Sequence, residues 1–127
     1  MKKKIESEKA PSAIGPYSQG IAVEKGNLLF ISGQLPVKAE TGVFAGDDIA
    51  SQTRQSILNL QAILESAGLS FDNVVKTTVF LKDIEDFAAM NEVYSQFFSV
   101  PYPARSAVGV DALPRGARVE IEAIAVL

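Results

Sequence analysis

The sequence predicts an α+β domain built on one sheet with two helices against one of its faces. Three observations carry this prediction. Alternating and helical apolar periodicities follow one another in the order strand, strand, helix, strand, helix, strand, strand. With 47% apolar and 21% charged residues in 127, the chain has the composition of one globular core. Gly and Pro fall singly at the joints between periodic segments, with no linker or internal repeat, so residues 1–127 are expected to form one unit.

Each element has its own signal. Residues 1–9 suit an edge strand or a frayed arm. Residues 10–18 read as a loop in which Pro16 restricts the backbone just before Tyr17. Residues 19–23 and 28–32 alternate as strands, and Glu24-Lys25-Gly26-Asn27 between them suits a hairpin turn. After an irregular stretch over 33–46, Asp47 and Asp48 offer caps for a helix with the stripe Ile57, Leu60, Leu64 and Ala67, and Gly68 stops it. Residues 74–81 read as a strand apolar on both faces, interrupted only by Lys76. Asp83 is the expected cap of a second helix with the stripe Phe87, Met90, Tyr94, Phe97 and Phe98, ended by Pro101-Tyr102-Pro103. Residues 104–110 and 118–126 complete the strands, with Pro114-Arg115-Gly116 in the turn between them. Two helices of about 15 to 20 residues cover roughly one sheet face. Because several strands are apolar on both faces, the second face calls for a homo-oligomeric partner.

The composition excludes much chemistry. The chain has no Cys and no His, which removes disulfides, thiol nucleophiles, Cys/His metal sites, Ser-His triads and imidazole bases. Twelve basic against fifteen acidic residues give a net charge of -3, unfavourable for nucleic acid. The basic cluster Lys2-Lys3-Lys4 is followed by no apolar run of signal-peptide length, and no segment approaches the roughly 20 apolar residues of a membrane span. A cytoplasmic protein is expected.

Among the remaining candidates, Arg105 lies in a strand of otherwise small or apolar residues. Its planar fork matches a carboxylate or phosphate, and a structural ion pair is the equally weighted alternative. Glu120 alternates with apolar neighbours in Arg118-Val119-Glu120-Ile121-Glu122, the ordinary pattern of a solvent-facing carboxylate. If the last two strands pair as a hairpin, Arg105 approaches Glu120 and the two make a hydrolytic pair, an anion anchor beside a proton-handling group. Tyr17 after Gly15-Pro16 is either a packing aromatic or a site residue. Ser32-Gly33 is either a turn or a place where a ligand nears the backbone. Asn91 falls on the apolar stripe of the second helix, where a buried amide is ordinarily satisfied by backbone.

Five strings, Ala13-Ile14-Gly15-Pro16-Tyr17-Ser18-Gln19-Gly20, Ser32-Gly33-Gln34-Leu35-Pro36, Val75-Lys76-Thr77-Thr78-Val79-Phe80-Leu81, Pro103-Ala104-Arg105-Ser106 and Val119-Glu120-Ile121-Glu122-Ala123-Ile124-Ala125, together resemble the reactive intermediate deaminase (RidA) family, over about residues 5–126. The resemblance implies a chorismate-mutase-like fold assembled as a homotrimer, sheets inward and helices outward. It implies hydrolysis of enamines and imines, chiefly 2-aminoacrylate, 2-aminocrotonate and their imine tautomers, to 2-keto acids and ammonia. These substrates are released by pyridoxal-phosphate dehydratases, a functional link without a stable complex. Carried over by motif, Arg105 would bind the substrate carboxylate and Glu120 would handle the attacking water. Tyr17, Ser32, Gly33 and Asn91 would line a cleft between subunits, with backbone contacts at Gly33 and Ala107. Many members carry Cys where this chain has Ala107, so any thiol-dependent behaviour is lost here. No metal or organic cofactor is expected, because an iminium carbon is already electrophilic. Two other readings are a 2-keto acid-binding regulatory module without turnover, and a ribonuclease or translation inhibitor, which the acidic charge disfavours.

Overall fold

The structure is a computed structural model and describes residues 2–127. The elements, in chain order, are β1 Lys2–Ile5, β2 Gly20–Val23, β3 Leu28–Gln34, α1 Ile49–Ser66, β4 Val74–Leu81, α2 Phe87–Tyr94, β5 Ala104–Gly109 and β6 Val119–Val126.

Helix α1 begins and ends on its own sequence signals. The Asp48 carboxylate accepts from the Ser51 N–H at 2.9 Å, satisfying one of the donors a helix start leaves free. At the other end Gly68 takes φ +74°, and the Leu69 N–H returns to the Leu64 carbonyl at 2.9 Å, closing the last turn. Between them Ile57, Leu60 and Leu64 are fully buried on one side, each contributing about 1.5–3 kcal/mol of apolar burial.

That stripe packs on a four-stranded sheet of order β3-β6-β4-β5. Strands β3 and β4 both run antiparallel to β6, and β5 runs parallel to β4, to which α2 connects it. Alternation divides the sheet into two faces. Ile31, Val79, Leu81, Val119, Ile121, Ala123 and Ala125 join Ile57, Leu60, Leu64, Met90 and Tyr94 in one core on the helix side. Phe30, Phe80, Ile124 and the carboxylates Glu120 and Glu122 lie on the other face, which no helix covers, and Phe30 is 70% exposed.

Four sequence expectations are corrected. The strands over 19–23 and 28–32 do not form a hairpin. β2 pairs instead with β1 in a separate two-stranded sheet, so the chain has two sheets and not one. The connector at 24–27 carries the chain to a different partner: Asn27 accepts from the Leu127 N–H at 2.7 Å, and Leu28 then registers with Val126 of β6. The final two strands do not form a hairpin either, because β4 lies between β5 and β6. The second helix is shorter than expected. Asp83 caps a 3-10 turn, Ile84–Asp86, before the eight residues of α2. After Tyr94 the backbone tightens again, Gln96 N–H to Val93 and Phe97 N–H to Tyr94, so Phe97 and Phe98 pack from a turn, with Phe71 edge-on to both.

Candidate functional site

Strand β5 places Arg105 beside Thr77 of β4, on the helix-covered face, where its side chain is half-buried. The guanidinium Cζ lies 4.8 Å from the Tyr94 ring centroid and 5.5 Å from those of Tyr17 and Phe87. Its Nη1 donates to Asn91 Oδ1 at 2.6 Å. Among the described residues that is its one protein acceptor, and no carboxylate pairs with it. The structural ion pair weighed for Arg105 is therefore not formed. A guanidinium carries five N–H donors, so four remain without a protein acceptor. Burial pulls its pKa down, opposed by the nearby Tyr94 and Tyr17. An anion arriving here would offset that desolvation.

The surroundings follow from local structure. Phe87, Asn91 and Tyr94 fall four and three residues apart on α2 and so share one face. The Tyr94 hydroxyl is 2.8 Å from Thr77 Oγ1, and burial pushes its pKa up to about 12, so it stays protonated near neutrality and acts as a fixed wall. Tyr17 comes from the loop before β2. Ser18 ties that loop to the outer edge of β5 through its N–H to Pro103 O at 3.0 Å and its hydroxyl to Tyr102 O. Gly15, at φ +109°, lets the chain turn so close to α2 that a Cβ there would lie 3.6 Å from Asn91 Nδ2.

Glu120, Ser32 and Gly33 form a second cluster on the uncovered face. The β3–β6 register shifts between Ile31 and Gln34, and Glu120 reaches back over Gly33. A Cβ at position 33 would lie 2.8 Å from Glu120 Cδ and closer still to Oε2, so this glycine is what allows the carboxylate its place. Ala107 belongs with Arg105. It lies two residues further along β5 on the same face, its side chain packed against the core. β5 is the edge of the sheet, and beyond the Ser18–Ala104 bridge its outer edge carries no strand among the described residues.

The structure thus gathers Arg105, Asn91, Tyr17 and Ala107 at one place and Ser32, Gly33 and Glu120 at another, with the sheet between them. The half-buried Asn91 amide oxygen accepts from Arg105 and not, as a buried amide ordinarily does, from backbone. Phe87 and Tyr94, read in the sequence only as core stripe, are walls of the Arg105 site; their spacing around Asn91 was the available signal. A cavity of about 600 Å³ beyond Tyr17, with Lys4, Ser7, Ser12, Val100 and Tyr102 in its walls, includes neither Arg105 nor Glu120. Among the described residues no three acidic side chains converge as a metal-ligand set, and no helix is long and apolar enough to cross a membrane.

Comparison with known proteins shows the family of the chain. Residues 7–127 match the family model described as Endoribonuclease L-PSP. The chain is 54% identical over 125 residues to a RutC family protein of Pyrococcus horikoshii, covering 98% of each. It is 51% identical over 129 residues to the 2-iminobutanoate/2-iminopropanoate deaminase of Escherichia coli K12, covering 99% of this chain and 98% of that one. Among solved structures, E. coli TdcF with bound serine superposes with a TM-score of 0.77 at 49% identity, over 98% of each chain.

Proposed function

The chain belongs to the Endoribonuclease L-PSP family, which includes the RidA deaminases, and on that premise we propose that it hydrolyses 2-aminoacrylate, 2-aminocrotonate and their imine tautomers to 2-keto acids and ammonia. The observation that carries this reading is Arg105: a half-buried guanidinium with one amide acceptor, no carboxylate partner and four free N–H groups. Two of those donors suit the two oxygens of a substrate carboxylate. The serine bound to E. coli TdcF also bears a carboxylate.

In the proposed reaction Glu120 holds a water and takes its proton as the oxygen adds to the imine carbon. Glu120 then returns that proton to the nitrogen and takes the proton of the carbinolamine hydroxyl as the C=O bond forms, the C–N bond breaks and ammonia leaves. Anchoring, placement and proton handling suffice because the carbon is already electrophilic.

Within one chain Arg105 and Glu120 face opposite sides of the sheet, so a site using both draws them from two subunits. The uncovered face, with Phe30, Phe80 and Ile124 beside Glu120, supports a homotrimer in which each cleft combines Arg105, Tyr17, Asn91 and Ala107 of one subunit with Ser32, Gly33 and Glu120 of the next. Sedimentation equilibrium at micromolar concentration is expected to give three chains; a stable monomer would overturn the shared site. The ribonuclease suggested by the family description lacks support from this chain, with net charge -3 and no histidine. A coupled assay with a threonine dehydratase tests the activity: the protein should accelerate 2-ketobutyrate and ammonia release from the imine. Binding of 2-ketobutyrate without acceleration would instead favour the regulatory module.

A further inference from the structure

The Asn91 amide meets Arg105 through its oxygen. Its Oδ1 accepts from Nη1 of Arg105 at 2.6 Å, a charge-assisted hydrogen bond. Its Nδ2 lies near Gly15, where an added Cβ would stand in van der Waals contact at 3.6 Å, and donates to no protein acceptor among the described residues. The oxygen is committed to Arg105, and the residue stands beside the guanidinium donors that remain free. Phe87 and Tyr94, on the same face of α2, and Tyr17 from the loop are ring walls that offer the guanidinium no carboxylate or amide acceptor. Among the described residues, this one hydrogen bond is the directional contact that sets the rotation of the guanidinium between those rings.

We propose that Asn91 is a positioning residue for Arg105: by engaging Nη1 it orients the fork so that the Nε and Nη2 edge stays intact for a two-oxygen ligand. The inference rests on the reading of Arg105 as the carboxylate anchor. Bidentate recognition needs the two N–H bonds and the two oxygens in one plane. A guanidinium free to rotate loses that alignment for much of the time, which weakens ground-state binding of any carboxylate more than it affects the chemical step. Asn91 is thus expected to act on KM and on product affinity.

The test uses the full chain and two substitutions, with thermal melting of each. Asn91→Leu fills a similar volume and keeps helix propensity while removing the acceptor. Asn91→Asp keeps the shape but pairs a charge with the guanidinium that the ligand should occupy. In the dehydratase-coupled assay and in calorimetry with 2-ketobutyrate, Asn91→Leu should raise both KM and Kd about 10-fold with kcat within about threefold of wild type. Asn91→Asp should weaken 2-ketobutyrate binding at least as much. Unchanged KM and Kd in both variants, even with a lower melting temperature, would show a purely structural amide and overturn the proposal. A fall in kcat at unchanged KM would overturn it too, by placing Asn91 at the reacting atoms. Wild-type protein that neither hydrolyses the imine nor binds 2-ketobutyrate would overturn the functional reading itself, an outcome distinct from active wild type with unaltered variants.

Discussion

Arg105 and Glu120 leave one sheet from opposite faces. Arg105 registers with Thr77, whose hydroxyl meets Tyr94 of the covering helix, whereas Glu120 registers with Phe80 on the face no helix covers. β4 stands between their strands, so neither side chain can reach the other around the sheet. Two chemically complementary residues of one chain are thereby kept apart, and in the proposed trimer each would meet the other on a second copy.

This arrangement predicts complementation. Arg105→Ala and Glu120→Gln should each be inactive alone. When the two are unfolded together and refolded at equal ratio, mixed trimers regain clefts with both residues intact. Random assembly of a cyclic trimer should restore about a quarter of wild-type activity. A refolded mixture as inactive as its parents would place both residues of one site in the same subunit.

Arg105→Lys should fail as an anchor. The ammonium keeps the charge but cannot form two parallel hydrogen bonds, and its compact head makes poorer contact with the rings of Tyr17, Phe87 and Tyr94. A loss of at least ~100-fold in kcat/KM is expected, measured in the coupled assay with folding checked by circular dichroism. Near wild-type turnover would put the anchor elsewhere.

Glu120→Gln keeps the shape beside Gly33 and removes the charge. Imine hydrolysis should fall by about 10² to 10⁴ while 2-ketobutyrate affinity changes little, because the carboxylate is held by Arg105. Full activity would return Glu120 to the role of a solvent-facing carboxylate.

Gly33→Ala tests the same residue from the other side. The added methyl would fall 2.8 Å from Glu120 Cδ, so the carboxylate must swing away. The substitution lies at the β3–β6 register shift on the uncovered face and leaves the core unaltered. The expected result is a kcat drop of about 10- to 100-fold with a nearly unchanged melting temperature. Retained kcat in a folded Gly33→Ala protein would show that the Glu120 position is not critical.

Asp48 gives a pH-dependent prediction. The Ser51 N–H it accepts holds its carboxyl below the ordinary value, so the folded state favours the ionised form. A depressed folded-state value contributes stability that is present above the unfolded carboxylate range and is lost as pH falls through the folded value. Asp48→Ala should therefore melt earlier than wild type at pH 7, and the two melting temperatures should converge as the pH falls into the acid range. A constant difference down to pH 2 would mean that the charge of the cap is immaterial.

The local elements were legible because their signals are local. The Asp48 cap and Gly68 stop bracket α1, and the alternation of β6 separates core residues from Glu120 and Glu122 without reference to the rest of the chain. Tyr17, Asn91 and Arg105 could be singled out by residue type and neighbourhood. Their convergence could not, because it depends on Ser18 seating a distant loop on the edge of β5 and on α2 crossing to that edge.

By itself the sequence determined the class of fold, the chemistry that cannot occur without Cys or His, and the candidate residues for holding a carboxylate or moving a proton. Strand pairing was decided only in three dimensions. A strand's alternation states which side chains share a face, but its backbone donors and acceptors are satisfied equally well by any neighbour of suitable length, so nothing in residues 104–126 distinguishes a hairpin from two strands parted by β4. That choice of neighbour, made by packing β4 and β6 under α1 and α2, sends Arg105 and Glu120 to opposite faces and divides the candidate site into two halves.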